Sequence, residues 1–392
     1  MNRKQVTTGL GQLLAGAGPD LSGARLGLIA HPASVTHDLV PSADALSAAG
    51  FNLTAMYGPQ HGARGEKQDN MIESASFMDD RLDVPVYSLY GDVRKPTPEM
   101  LEHIDVMLFD LQDVGVRVYT FVWTMTLAME ACRDAGVAFV VLDRPNPITG
   151  VMREGPTLQR GFESFVGLYP IPLRHGLTAG EIARLCNDAF GINCELDVVP
   201  CGDWSREQWY DQTALPFVLP SPNLPTLDSC NVYPGMVLLE GTNLSEGRGT
   251  TRPFELFGAP YLDAQEVATE LNRLSLPGVV FRPCQFEPTF QKHAGQLCGG
   301  AQLHVIDRAL FRPVQTAVTI ISMAQRLAPD SFAWREPPYE YEADKMPIDI
   351  LWGSENLRIA IDRGSSPDQI LNDVSTDVAE FNDLARPYLL YN

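Results

Sequence analysis

Apolar residues in the first 145 positions come in short unbroken runs separated by helix-like stretches, an alternation that predicts a parallel sheet covered by helices. The runs Arg25–Ala30, Asn52–Tyr57, Val84–Leu89, Asp105–Phe109 and Val137–Leu142 read as strands. Ser42–Ala49, Thr97–His103 and Thr120–Ala135 read as helices between them. Four of the strand runs end in polar or turn residues: His31-Pro-Ala-Ser34, Gly58-Pro-Gln-His-Gly62, Asp110-Leu-Gln-Asp113 and Asp143-Arg-Pro-Asn146. Ligands of open parallel sheets bind in the crevice beyond the strand carboxyl ends, so these four clusters are expected to meet there.

Prolines and glycines crowd Pro145 to Pro156, which places a domain boundary there and divides the chain into residues 1–155 and 156–392. A length of 392 residues also favours two domains over one core. The second part opens with Thr178-Ala-Gly-Glu181 ahead of an apolar-periodic run, the signature of a capping box that starts a helix. Proline then dominates from Pro216 to Pro234, where regular structure is not expected. Beyond it, Val279–Arg282, Gln302–Ile306 and Ile348–Leu351 read as strands, and Val314–Leu327 and Thr376–Leu384 as helices. The fold class read from these patterns is α/β: a helix-covered parallel sheet followed by a second domain that mixes strands and helices.

Charge narrows the partners. A net charge of -20 and a pI near 4.7 oppose binding to nucleic acid or an anionic membrane. No window approaches the ~20 apolar residues of a membrane helix, and Met1–Ser22 lacks the apolar core of a signal peptide. The seven cysteines are scattered and never spaced Cys-x-x-Cys. That usage fits reduced thiols in the cytoplasm and gives no structural zinc site.

The segment Glu240-Gly-Thr-Asn-Leu-Ser-Glu-Gly-Arg-Gly-Thr-Thr251 concentrates carboxylates, an arginine and hydroxyls among four glycines. It is too glycine-rich for a helix, and such a loop suits close approach to a polar ligand. A dinucleotide fingerprint, a P-loop, a His-Glu-x-x-His pair and a Gly-x-Ser-x-Gly elbow are all missing, so no cofactor is expected. What remains is carboxylates beside arginines: Asp110, Asp113 and Arg117; Asp143 and Arg144; Glu240, Glu246, Arg248, Arg252 and Glu255. Glycoside hydrolysis needs such a supply, one carboxyl to protonate the leaving oxygen and another to act as base or nucleophile. Asp–Arg pairs also simply hold loops together, and His61 at a strand end reads equally as a structural or a catalytic histidine.

Six motifs carry a resemblance. Gly58-Pro-Gln-His-Gly62, Asp110-Leu-Gln-Asp-Val-Gly-Val-Arg-Val-Tyr-Thr120, Leu142-Asp-Arg-Pro-Asn-Pro147, Arg174-His-Gly-Leu-Thr178, Pro220-Ser-Pro-Asn223 and the Glu240 segment stand in order along the chain. Together they resemble the NamZ-type exo-β-N-acetylmuramidases, glycoside hydrolase family 171, once a domain of unknown function. The resemblance implies removal of a terminal N-acetylmuramic acid from the non-reducing end of peptidoglycan fragments, a cell-wall recycling step with a small muramyl sugar as partner. It further implies a Rossmann-like amino-terminal domain joined to a smaller carboxy-terminal α/β domain, with the active site in the cleft between them. His61, Asp113, Glu240 and Glu246 are the candidates for catalysis or for orienting the sugar. Substrate contacts fall to Gln60, Arg64, Glu73, Arg117, Tyr119, Asn243, Arg248 and Arg252, the arginines being suited to the lactyl carboxylate of muramic acid.

One departure stands out: many relatives carry Glu where this chain has Gln60, and an amide cannot donate a titratable proton. Either a neighbour such as Glu66 or Glu73 takes over, or the protein is a sugar-binding or regulatory relative with altered catalysis. The run Gly65-Glu-Lys-Gln-Asp-Asn-Met-Ile-Glu73 also departs from the family pattern. A metal-dependent hydrolase built on the aspartates is a third reading.

Overall fold

A computed structural model describes residues 5–68 and 72–392. Arg3, Lys4 and the Asp69-Asn70-Met71 part of the departing run lie outside the described residues.

Six strands arise early in the chain: β1 (Leu26–Ile29), β2 (Leu53–Gly58), β3 (Phe77–Asp79), β4 (Val84–Ser88), β5 (Val106–Phe109) and β6 (Ala138–Leu142). β7 (Glu154–Thr157) and β8 (Pro172–Arg174) form a short antiparallel pair, and β9 (Leu196–Val199) follows. The large sheet has seven strands in the order β3-β4-β2-β1-β5-β6-β9, parallel except for β3. β1, β5 and β6 are almost wholly buried apolar strands, the composition required when helices cover both faces. The chain runs outward from β1 first through β2 and β4, then through β5 and β6, so the winding direction reverses around β1. That reversal opens a crevice at the carboxyl ends of β2, β1 and β5.

The five strands expected in the first 145 residues are present within a residue or two. The sheet also takes β9 from beyond residue 155, and β3 forms an antiparallel edge that periodicity did not indicate. The smaller sheet is antiparallel, β10 (Leu256–Ala259), β12 (Cys298–Val305) and β11 (Val279–Phe286) in that order. It joins the helices Leu227–Met236, Ala264–Arg273 and Pro313–Leu327. Thr178 accepts from the Glu181 amide while Glu181 bonds back to Thr178, the capping box expected from sequence.

Two expectations are corrected. Ile348–Leu351 is not a strand but part of the helix Pro347–Trp352. Four apolar residues do not reveal their period; Pro347 presets the first turn, and Gly353 ends it in the left-handed region at φ 91°. Leu227–Met236 is a helix despite the surrounding prolines, because Thr226 and Ser229 form a capping box and Pro234 lies in its last turn. No helix among the described residues is long and apolar enough to cross a membrane.

Candidate active site

The crevice at the strand ends is closed into a pocket by residues from the far end of the chain. Gln60, His61, Tyr119 and Ser221 line one side, and Tyr233, Glu240, Arg248, Phe254, Tyr339 and Glu340 line the other. The cavity they enclose is small, about 30 Å³.

Gln60 and His61 follow β2 after Pro59, and His61 is held in the left-handed region at φ 71°. Such a conformation in a residue other than glycine costs of order 1–3 kcal/mol and clusters at functional sites. The His61 Nδ1 lies 2.8 Å from the Lys67 carbonyl, which only accepts, so Nδ1 carries the hydrogen. In the neutral ring Nε2 then accepts from the Ser221 hydroxyl at 3.2 Å. The Gln60 amide is fully oriented: its oxygen accepts from the Thr120 hydroxyl at 2.6 Å. Its nitrogen donates to the Tyr90 hydroxyl at 3.0 Å and to Glu340 Oε1 at 3.4 Å. Tyr90 in turn donates to Glu340 Oε2 at 2.9 Å.

Opposite, Glu240 accepts from Arg248 Nη2 at 2.9 Å and from the Tyr339 hydroxyl at 2.8 Å. Burial pushes this carboxyl up, but the charges of Arg248 and Lys292 and the two hydrogen bonds outweigh burial and hold it below the usual glutamate range. Glu240 is therefore an ionised carboxylate inside a buried pocket. The Arg248 guanidinium stays firmly charged, since Glu240 and Glu246 overcome the opposing effect of burial.

The remaining sequence candidates separate. Glu246 lies behind the pocket wall, 2.7 Å from Lys292 Nζ and 3.4 Å from Arg248 Nε. Lys292 also donates to the carbonyls of Leu239 at 2.8 Å, Thr242 at 3.0 Å and Leu244 at 2.5 Å, so it clamps the glycine-rich loop from inside. Asp113 sits beneath the wall, accepting from the Gly115 amide at 2.7 Å with His175 at 3.4 Å. Arg117 is wholly buried and donates to four carbonyls, those of Pro156, Ile171, Leu351 and Trp352. With no carboxylate beside it, burial pushes its pKa down to about 9. Its guanidinium fastens the early chain to the late chain and does not reach the pocket. Asn243 bonds to Ser331, Tyr261 and Ala333, away from the cleft. Arg252 pairs with Glu255 near the surface. Arg64 lies over the Phe77 ring, 4.3 Å from its centroid, in a neighbouring depression with Glu66. Glu73 lines a wider outer depression that shares Glu340 with the pocket.

The glycines of the loop are explained by packing. A Cβ on Gly241 would lie 2.6 Å from the Ile348 Cα. Gly249 has φ 79°, and a Cβ there would lie 2.6 Å from the Phe290 carbonyl oxygen. Close backbone contact within the protein, not approach to a ligand, sets these positions.

Sequence reasoning missed Tyr90, Tyr339 and Glu340. Glu340 stands 280 residues from its partner Gln60, just after Pro337-Pro338, with neither a strand end nor a recognisable motif to mark it. Its φ of 45° and that of Tyr341, 68°, place both in the left-handed region, a local signal visible only in the structure.

Residues 26–228 match the family profile described as exo-beta-N-acetylmuramidase NamZ, N-terminal, and residues 231–391 match its C-terminal counterpart. The chain is 47% identical over 390 residues to the peptidoglycan beta-N-acetylmuramidase NamZ of Bacillus subtilis (strain 168), covering 99% of this chain and 92% of that protein. It is similar to the crystal structures of two DUF1343 family proteins from Bacteroides fragilis NCTC 9343. One superposes with a TM-score of 0.90 at 36% identity and the other with 0.78 at 28%, each match covering 99% of both chains.

Proposed function

The chain belongs to the NamZ family of exo-β-N-acetylmuramidases, and from that premise we propose that this glycosidase removes terminal N-acetylmuramic acid from the non-reducing end of peptidoglycan fragments. The observation that carries the reading is Glu240: a carboxylate kept ionised by Arg248 and Tyr339 in a pocket at the crevice of the parallel sheet. Glycoside hydrolysis passes through a transition state with positive charge at the anomeric carbon, and an ionised carboxylate facing that carbon stabilises it or acts as base or nucleophile. Tyr119 and Tyr233 line the pocket, and the His61–Ser221 pair offers polar contacts to sugar hydroxyls.

Among the four arginines considered for the lactyl carboxylate, Arg248 alone lines the pocket. Its Nη2 is committed to Glu240, whereas its Nη1 has no protein acceptor among the described residues. We assign that Nη1 as the donor to the lactyl group. All seven cysteines are free thiols, in keeping with a cytoplasmic enzyme of wall-fragment recycling.

Incubation with 4-nitrophenyl N-acetyl-β-muramide tests the reading. Nitrophenol release at least 100-fold above a Glu240→Gln control is expected, and equal rates from the two proteins would sink it. One observation favours a sugar-binding relative instead: an amide, Gln60, occupies the strand-end position beside the pocket. Calorimetric binding of N-acetylmuramic acid without any turnover of its glycosides would establish that alternative.

A further inference from the structure

We propose that Glu340 is the proton donor of this site and that Gln60 is the positioning residue that holds it, an assignment that rests on the glycosidase reading. Glu340 is buried, 4% exposed, and lines the same pocket as Glu240. Tyr90 donates to Oε2 at 2.9 Å and the Gln60 amide reaches Oε1 at 3.4 Å, while the Arg94 guanidinium lies over the Tyr90 ring, 4.4 Å from its centroid. Gln60 is fixed in turn by Thr120, so the amide can present only its N–H side to Glu340.

The contrast with Glu240 supplies the chemistry. Arg248 holds Glu240 ionised, and Tyr339, the residue next to Glu340, donates to Glu240. Two carboxyls facing one pocket oppose each other's ionisation, so a first negative charge fixed on Glu240 favours a proton on Glu340. Unlike environments divide an acid from a base in this way.

In the step that follows, Glu340 gives its proton to the glycosidic oxygen as the C1–O bond breaks. The bonding electron pair stays on that oxygen, and the leaving sugar departs as a neutral alcohol. Water then forms the new C1–O bond, and the proton it loses restores Glu340 to its protonated state and leaves Glu240 ionised, so protons and charge balance over the cycle. The left-handed backbone at Glu340 and Tyr341 aims the carboxyl inward from a loop that has no helix or strand to carry it.

The proposal also defines what the amide does. A glutamate at position 60 would place a second titratable carboxyl 3.4 Å from Glu340, and the two would share a proton. Glutamine there adds no second carboxyl beside Glu340.

The test compares two substrates and two variants of the full chain. Glu340→Gln is expected to slow cleavage of N-acetylmuramyl-β-1,4-N-acetylglucosamine at least 100-fold. Its turnover of 2,4-dinitrophenyl N-acetyl-β-muramide, whose leaving group needs no proton, should stay within 10-fold of the wild type. Disaccharide cleavage within threefold of the wild type, or equal losses on both substrates, would overturn the assignment. Gln60→Glu provides a second reading that does not depend on the folding of the first variant. It should move the alkaline limb of the kcat/KM profile upward by about one pH unit or more, and an unmoved limb would count against the pairing. Failure of the wild-type protein on both substrates would instead overturn the glycosidase reading itself.

Discussion

Glu240 and Arg117 show opposite uses of a buried charge. Burial raises the Glu240 carboxyl, yet Arg248, Tyr339 and Lys292 lower it further than burial raises it. A carboxyl depressed in the folded protein stays ionised as pH falls until its folded pKa is reached, so the acid limb of kcat/KM should lie below the ordinary glutamate value of about 4.3. Arg248→Met removes the dominant counter-charge, and the acid limb should then move upward; a pH profile measured on both proteins checks this. Arg117 has no counter-charge and instead saturates four carbonyls. Arg117→Met strands those acceptors and should lower stability by at least about 3 kcal/mol, measured by denaturant unfolding. In the sequence these two arginines look alike, each near a carboxylate and a glycine. Which one faces a pocket depends on contacts more than 200 residues apart, and local spacing carries no record of them.

At the scale of elements, the glycine-rich loop is a packed turn gripped by Lys292. Gly249→Ala forces a left-handed alanine and brings its Cβ against the Phe290 carbonyl. Together the backbone strain and overlap should cost about 2–4 kcal/mol, seen as a lower Tm. Lys292→Met should lower both stability and kcat, since the loop carries both Glu240 and Arg248. A Tm drop with unchanged kcat would show that the clamp does not reach the site. The helices at 42–48, 121–135 and 313–327 were legible because their apolar periodicity extends over enough turns. Ile348–Leu351 was not, because four residues fit either period and the decision lay with Pro347, Gly353 and the packing against Gly241.

At the scale of the whole molecule, the parallel sheet was readable because every central strand is a short apolar run that stops at a polar cluster. The pocket was readable in part: Glu240 and Arg248 of its second wall were candidates from the sequence, whereas Tyr233, Phe254, Tyr339 and Glu340 were not. Long-range ties hold the walls together: Tyr391 near the end of the chain donates to Asp143 beyond β6 at 2.6 Å. Tyr391→Phe should cost about 1–3 kcal/mol by leaving that buried carboxylate with one donor fewer. The net charge of -20 acts over the entire surface. An anionic muramyl substrate is repelled at low ionic strength, so kcat/KM should rise about two- to threefold between 10 and 150 mM salt as the repulsion is screened. The measurement that bears most directly on the central claim is product analysis of a defined peptidoglycan oligosaccharide with N-acetylmuramic acid at its non-reducing end. Mass spectrometry over time should show free N-acetylmuramic acid and the oligosaccharide shortened by that one sugar, with both products at least 100-fold slower to appear with Glu240→Gln. An intact oligosaccharide, internal cleavage, or the same rate from the variant would contradict it.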